Sequence, residues 1–299
     1  IRDILLMVFV SLILTSALNP LIDQLEKWKL PRVIAIVTAY LTLWLILGLI
    51  VAGLVPALVI QTRRLILRLP EAIGQIDLIA HYQQEINQQI LNRLNTLPES
   101  ILKISFSIFN NLVGVLTTLA ITFYILLERS KLKEHLAVLF GKENPARIEK
   151  VITQIETSLG WWVRGELVLM LVVGTLTYLG LLVLGIESAL PLAIIAGLLE
   201  IIPTFGPTIS MLPAVLVALA MHPFKALAVV ALYYLVQLFE NNILVPNVMR
   251  KAAGVNPLMT VLGLMIGFKL AGPIGAILAI PIVIIGRELT SELMGLKKL

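Results

Sequence analysis

The sequence predicts an all-α, polytopic membrane protein, and three observations predict it. Hydrophobic residues make up 59% of the chain and charged ones only 14%, against about 45–50% and about 25% in soluble domains. The mean hydropathy is +0.97. The charges that are present gather between long apolar runs instead of being spread through them. The expected architecture is about five full spans, two Gly-Pro-broken helical hairpins related like an inverted repeat, and an extracytoplasmic amphipathic helical segment.

Five segments are apolar over most of a bilayer thickness, which takes about 20 helical residues to cross. They run over Ile4–Pro20, Val33–Ile60, Ile104–Leu127, Leu167–Gly185 and Ala226–Met249, the last carrying one acid, Glu240. Trp28, Trp161 and Trp162 sit at segment edges, where interfacial anchors belong. Two further apolar regions, Pro191–Met221 and Pro257–Gly286, are interrupted at Gly206-Pro207 and Gly272-Pro273. Each half spans roughly 21 Å as a helix, short of the roughly 30 Å hydrocarbon core. They read as hairpins that enter the membrane and return, or alternatively as pairs of short, tilted spans.

The two regions also resemble each other. Pro191, Leu192, Gly197, Gly206 and Pro207 recur 66 positions later as Pro257, Leu258, Gly263, Gly272 and Pro273. One crossing separates the two hairpins, so they enter from opposite faces. A span-plus-hairpin unit repeated with inverted topology is a recurring transporter plan.

Basic residues set the orientation. Fifteen Lys and Arg fall on the side of Lys27, Arg129 and Arg287, and seven on the side of Arg63 and Lys225. Basic loops favour the cytoplasm, which places the C-terminus inside and residues 61–103 outside. Within 61–103, Leu69, Ile73, Ile76, Ile79, Tyr82, Ile86, Ile90, Leu94, Leu97 and Ile101 recur at spacings of three and four. This is one helical stripe, and packing in a homo-oligomer is the cover it suggests, ahead of the membrane surface or its own protein. The chain starts at Ile1 with no methionine, so the numbering is expected to begin inside a longer protein, and a preceding span is possible.

Three ionisable residues lie in the apolar segments away from their ends: Glu200, Glu240 and Lys269. A charge at mid-bilayer costs at least about 2.5–3.5 kcal/mol on insertion scales, so such groups face a partner or a cavity. Gln237, Asn241 and Asn242 surround Glu240, and Pro203 and Pro207 free backbone groups near Thr204 and Thr208. The functional reading is a substrate or ion pathway through Glu200, Gln237, Glu240, Asn241, Asn242 and Lys269. Its hairpin tips would be Pro203, Thr204, Gly206, Pro207, Gly272 and Pro273. The structural alternatives are a Glu240–Lys269 pair and amides that join helices.

Enzyme and nucleic-acid readings are disfavoured. The absence of cysteine excludes disulfides and thiolate sites. His81, His135 and His222 form no metal-binding motif, Gly141-Lys142 lacks the preceding glycine of a phosphate loop, and no G-x-S-x-G elbow occurs. No metal or cofactor is expected. The net charge of +5 is carried by loops, a topology signal more than a nucleic-acid footprint.

The organisation that follows has N-terminal spans at 1–60, an extracytoplasmic amphipathic region at 61–103 and a span at 104–127. A cytoplasmic helical linker at 128–162 leads to a transport core at 163–290, with span plus hairpin at 163–221 and again at 224–290, and a tail at 291–299.

The stretches EIIPTFGPTISMLP (Glu200–Pro213) and QLFENNILVPNVMRKAAGVNP (Gln237–Pro257) resemble the AI-2E family of bacterial and archaeal transporters. NPLIDQLEKWKLPR (Asn19–Arg32), the Arg164-Gly165 pair and GPIGAILAIP (Gly272–Pro281) extend the resemblance over nearly the whole chain. It implies a multi-pass inner-membrane exporter or facilitator of small molecules, autoinducer-2 among them, or a sodium/proton antiporter. The remaining alternative is a non-transporting scaffold. Glu200 and Glu240 fall on the family's motifs, Lys269 in a more variable part, and Glu166 stands where relatives often carry glutamine.

Overall fold

The computed structural model describes residues 2–74, 112–129, 131, 145–203, 205–249 and 257–293. Among these the chain is helical almost throughout: α1 Arg2–Lys27, α2 Arg32–Gly74, α3 Leu112–Leu127, α4 Pro145–Val183, α5 Ala189–Leu199, α6 Phe205–Met221, α7 Pro223–Phe239, a π-helical turn Glu240–Leu244, α8 Val245–Val248 and α9 Pro257–Leu293. By length and composition, five stretches among the described residues could cross a membrane: Asp3–Lys27, Arg32–Ala57, Ala146–Val183, Pro223–Val248 and Leu258–Ser291. On α2, Leu41, Leu45 and Leu49 are each about two-thirds exposed. An exposed leucine stripe of that kind is stable against lipid, not water.

Two helices run through expected boundaries, and two expected elements lie partly outside the described residues. The described part of the third apolar segment is the 16-residue helix α3; the expected start at Ile104 lies outside the described residues. The amphipathic stripe of 61–103 does so beyond Gly74, up to which α2 continues without a break. The expected linker-to-core boundary at 163 falls inside α4, a 39-residue helix. Nothing at Gly160 to Gly165 interrupts its hydrogen bonding, because glycine in a long helix weakens it by only about 1 kcal/mol.

The chain divides into two compact units, one of residues 1–44, 112–166 and 248–299, the other of 45–111 and 167–247. In the first, Ile22, Ala35, Ile36, Ala39 and Leu126 form a buried cluster. Side chains reach backbone carbonyls across it: Tyr40 Oη donates to Leu119 O at 2.9 Å, and Ser11 Oγ to Thr118 O at 3.0 Å. Arg32 Nε donates to Leu126 O at 2.8 Å. Ser158 Oγ of α4 donates to Glu288 Oε1 of α9 at 2.8 Å, both groups buried, and Arg287 pairs with the same carboxylate. The chain reverses within α9, where Gly272 adopts φ 62°, ψ −146°, a region open essentially to glycine. Gly267 and Gly275 then lie backbone against backbone, and Gly263 meets Val283 and Ala279.

The second unit packs on small residues. Its core holds Leu181, Ile186, Ala189, Leu192, Ala196, Ala214, Ala218, Ala226, Val229 and Tyr233. Alanine and glycine let helix backbones approach closely, the usual basis of packing in lipid. A Cβ on Gly197 would lie 2.6 Å from Met170 O, and one on Gly174 would lie 3.3 Å from Ala193 O. Between α4 and α5, Gly185 takes φ 62° while Ile186 N donates to Leu181 O and Gly185 N to Leu182 O, both at 2.9 Å. That is the Schellman ending of a helix.

Gly206 has the last turn of α5 against it, with Leu199 O where a Cβ would sit, whereas Gly48 has open space. Gly206→Ala is expected to destabilise the protein by roughly 1–3 kcal/mol through overpacking. Gly48→Ala is expected to be neutral or to stabilise by up to about 1 kcal/mol. Thermal unfolding in detergent, read side by side for the two variants, checks the contrast.

Candidate functional site

The site grows from the point where α5 ends. Glu200 is the C-cap of that helix, its N–H still bonded to Ala196 O at 3.2 Å. Pro203 has no N–H to continue the ladder, so the chain turns. Gly206 N closes the turn on Ile202 O at 2.8 Å. Only a residue without a side chain fits there, because α6 returns against Leu199 and Glu200. Pro207 follows in the first turn of α6, where a missing N–H costs nothing, and its carbonyl accepts from Ser210 Oγ at 2.9 Å.

Opposite this turn stands the end of α7. His222 caps its start, Nδ1 accepting from Phe224 N at 3.2 Å, with Pro223 at the first position. The histidine is thus a structural cap. Tyr233, Gln237 and Glu240 follow at spacings of four and three, which puts them on one face. Glu240 ends α7 and begins the π turn, in which Val245 N donates to Glu240 O five residues back. Pro246 explains the widened turn: it has no N–H for the carbonyl four residues earlier and its ring presses on that carbonyl. Such insertions occur often at functional sites.

Together these elements bring two acids into contact in an apolar interior. Glu200 is 1% exposed and Glu240 3%. Their carboxyl groups are close enough to interact, and Gln237 Nε2 donates to Glu240 Oε2 at 3.2 Å. A carboxyl-to-carboxyl hydrogen bond needs an O–H on one partner, since a carboxylate only accepts. A single proton shared by the pair would supply it. Two like charges in contact and out of water would otherwise repel strongly. One turn further along the same seam, Ser210 and Tyr233 are buried side by side.

The structure places the other sequence candidates as follows. Gly206 and Pro207 are buried beside the pair, and Pro203 is half-buried in the turn. Asn241 and Asn242 are exposed, and Asn242 Nδ2 is bonded back to Leu238 O at 2.8 Å. Lys269, exposed, and Gly272 and Pro273 belong to the other compact unit. Thr204 lies outside the described residues. Sequence reasoning missed Ser210 and Tyr233, although Tyr233 sits seven residues before Glu240 on the same helix face. It also missed buried Glu288, which borders a charged helix end and gives no intramembrane signal. Among the described residues no group of three or more His, Cys, Asp or Glu is arranged to hold a metal ion.

Comparison with known proteins gives the family. The model of the AI-2E family transporter matches residues 1–295. "Putative transport protein YueF" of Bacillus subtilis is 30% identical, over 96% of this chain and 83% of its own length. The AI-2 transport protein TqsA of Escherichia coli is 25% identical, over 95% of this chain and 84% of its own. Spans long enough to cross a bilayer, a buried acid pair at a broken helix and a family match over almost the whole length converge: the chain is a multi-pass membrane protein belonging to the AI-2E family of transporters.

Proposed function

We propose that the protein is a secondary transporter or facilitator that moves a small polar solute, autoinducer-2 or a related molecule, across a bacterial or archaeal inner membrane. In this reading the Glu200–Glu240 pair is the coupling site. The observation that carries it is the adjacent pair of buried carboxyl groups, 1% and 3% exposed, at the broken end of α5. A shared proton in an apolar surrounding is released when a solute or cation displaces it, which links solute movement to proton movement. The function in the name of TqsA supports autoinducer-2 as the solute class.

The reversals at 200–206 and at Ala271-Gly272 act as re-entrant hairpin tips, each presenting backbone groups within its own unit. Asn241 and Asn242 contribute polar surface to the pathway at other stages of the cycle. The excess of basic residues on one side supports a cytoplasmic C-terminus, and in this reading the 61–103 segment joins copies into a homo-oligomer. A second reading, sodium/proton antiport, is favoured by the same acid pair, since two carboxylates can hold a cation in place of the shared proton. A scaffold without transport would leave the pair as a helix joint alone.

Flux of labelled autoinducer-2 and of sodium into proteoliposomes, with and without an imposed proton gradient, separates these readings. Gradient-dependent solute flux is expected for the wild type. Glu200→Gln and Glu240→Gln are each expected to lower coupled flux roughly tenfold or more, equivalent to about 1.4 kcal/mol, while folding normally. Wild-type rates in both well-folded variants would remove the pair from the mechanism, and sodium flux without solute flux would select the antiporter. In a double-mutant cycle of the same substitutions, read by thermal unfolding, an interaction energy of about 0.5–3 kcal/mol is expected for groups in direct contact. Additivity would mean that the two carboxyls act separately.

A further inference from the structure

A second polar site lies within the other compact unit. A cavity of about 150 Å³ is lined by Thr15, Ser16 and Asn19 of α1, by Arg129 just after α3, and by Glu156 and Arg164 of α4, among others. That volume is enough for a group the size of one small ring. Gly160 keeps it open: Ser16 O lies 2.8 Å, and both Arg164 guanidinium nitrogens 3.5 Å, from where its Cβ would be.

The charges decide what fits. Arg129 is neutralised, donating to Glu156 Oε2 from Nη2 at 2.7 Å and from Nε at 3.1 Å. Arg164 has no such partner among the described residues. Its guanidinium lies 4.6 Å above the ring of Trp161, a stacking that fixes the plane and leaves the N–H edge free. Among the residues lining the cavity the balance is one positive charge, borne by donors in the fork geometry that suits phosphate oxygens. Trp161, itself 38% exposed, marks the depth of the headgroup layer. Basic pockets between transmembrane helices at that depth hold lipid head groups.

We propose that this cavity binds a phosphate group through Arg164, with the second N–H of the Asn19 amide as a supporting donor. The phosphate comes from an anionic phospholipid or from a free phosphate ester. The test measures the thermal unfolding of purified protein in detergent as phosphatidylglycerol, phosphatidylcholine or glycerol phosphate is titrated in. Wild type is expected to be stabilised by phosphatidylglycerol at lower concentrations than by phosphatidylcholine. Arg164→Gln is expected to weaken that response roughly tenfold or more, the loss of one charge-assisted contact. Arg164→Lys, which keeps the charge and loses the fork, falls between. Lys27→Gln, which removes an exposed charge outside the cavity, keeps the wild-type response. Stabilisation by glycerol phosphate that needs Arg164 assigns the phosphate to a soluble source, and its absence assigns it to lipid. The proposal is overturned if both Arg164 variants respond as wild type does, or if Lys27→Gln loses as much as Arg164→Gln.

Discussion

The contact between the Glu200 and Glu240 carboxyl groups is the constraint on which the second compact unit depends. Both are almost wholly buried, and an isolated ionised carboxylate in such surroundings is prohibitively unstable. Contact resolves the problem only if the two share a proton and the remaining lone pairs are used, as the Gln237 amide does for Glu240. Separating the groups would strand a charge or an unbonded hydroxyl in the apolar interior. The backbone around them is organised to prevent that separation: α5 stops at Glu200, the return arm presses on it through bare Gly206, and the π turn begins at Glu240.

The same arrangement makes the pair suitable for coupling. Helices held together by Ala, Gly and backbone contact lose little when they slide, because few large side chains interlock across them. A π turn and two proline-interrupted segments provide places where the backbone can change its bonding without breaking a long ladder. A site that must hold a proton tightly in one state and release it in another needs both properties. It needs a strong local interaction in a scaffold that can shift around it.

Much of this was legible in the sequence. The bilayer makes charge expensive, so Glu200 and Glu240 stand out from their apolar neighbours, and Gly206 and Gly272 stand out because broken apolar runs are rare. What was not legible has specific physical reasons. Tyr233 reads as one more aromatic of an apolar span, since only its position on the Glu240 face and its contact with Ser210 give it a polar role. The π turn carries one extra residue, so the phase of a regular helix does not predict the outward placement of Asn241 and Asn242. The α4 helix runs through the expected boundary at 163 because Gly160 and Gly165 accommodate close neighbours without stopping a helix. Glu288 and Ser158 find each other over a separation of 130 residues, which no local pattern reveals.

The shared proton is the central claim, and infrared spectroscopy of the purified protein observes it directly. A protonated carboxyl group absorbs apart from carboxylates, and its band shifts on exchange into heavy water. At neutral pH the wild type is expected to show such a band, displaced in Glu200→Gln and in Glu240→Gln and absent in the double variant. An unchanged band in the double variant, or none in the wild type, would contradict the account.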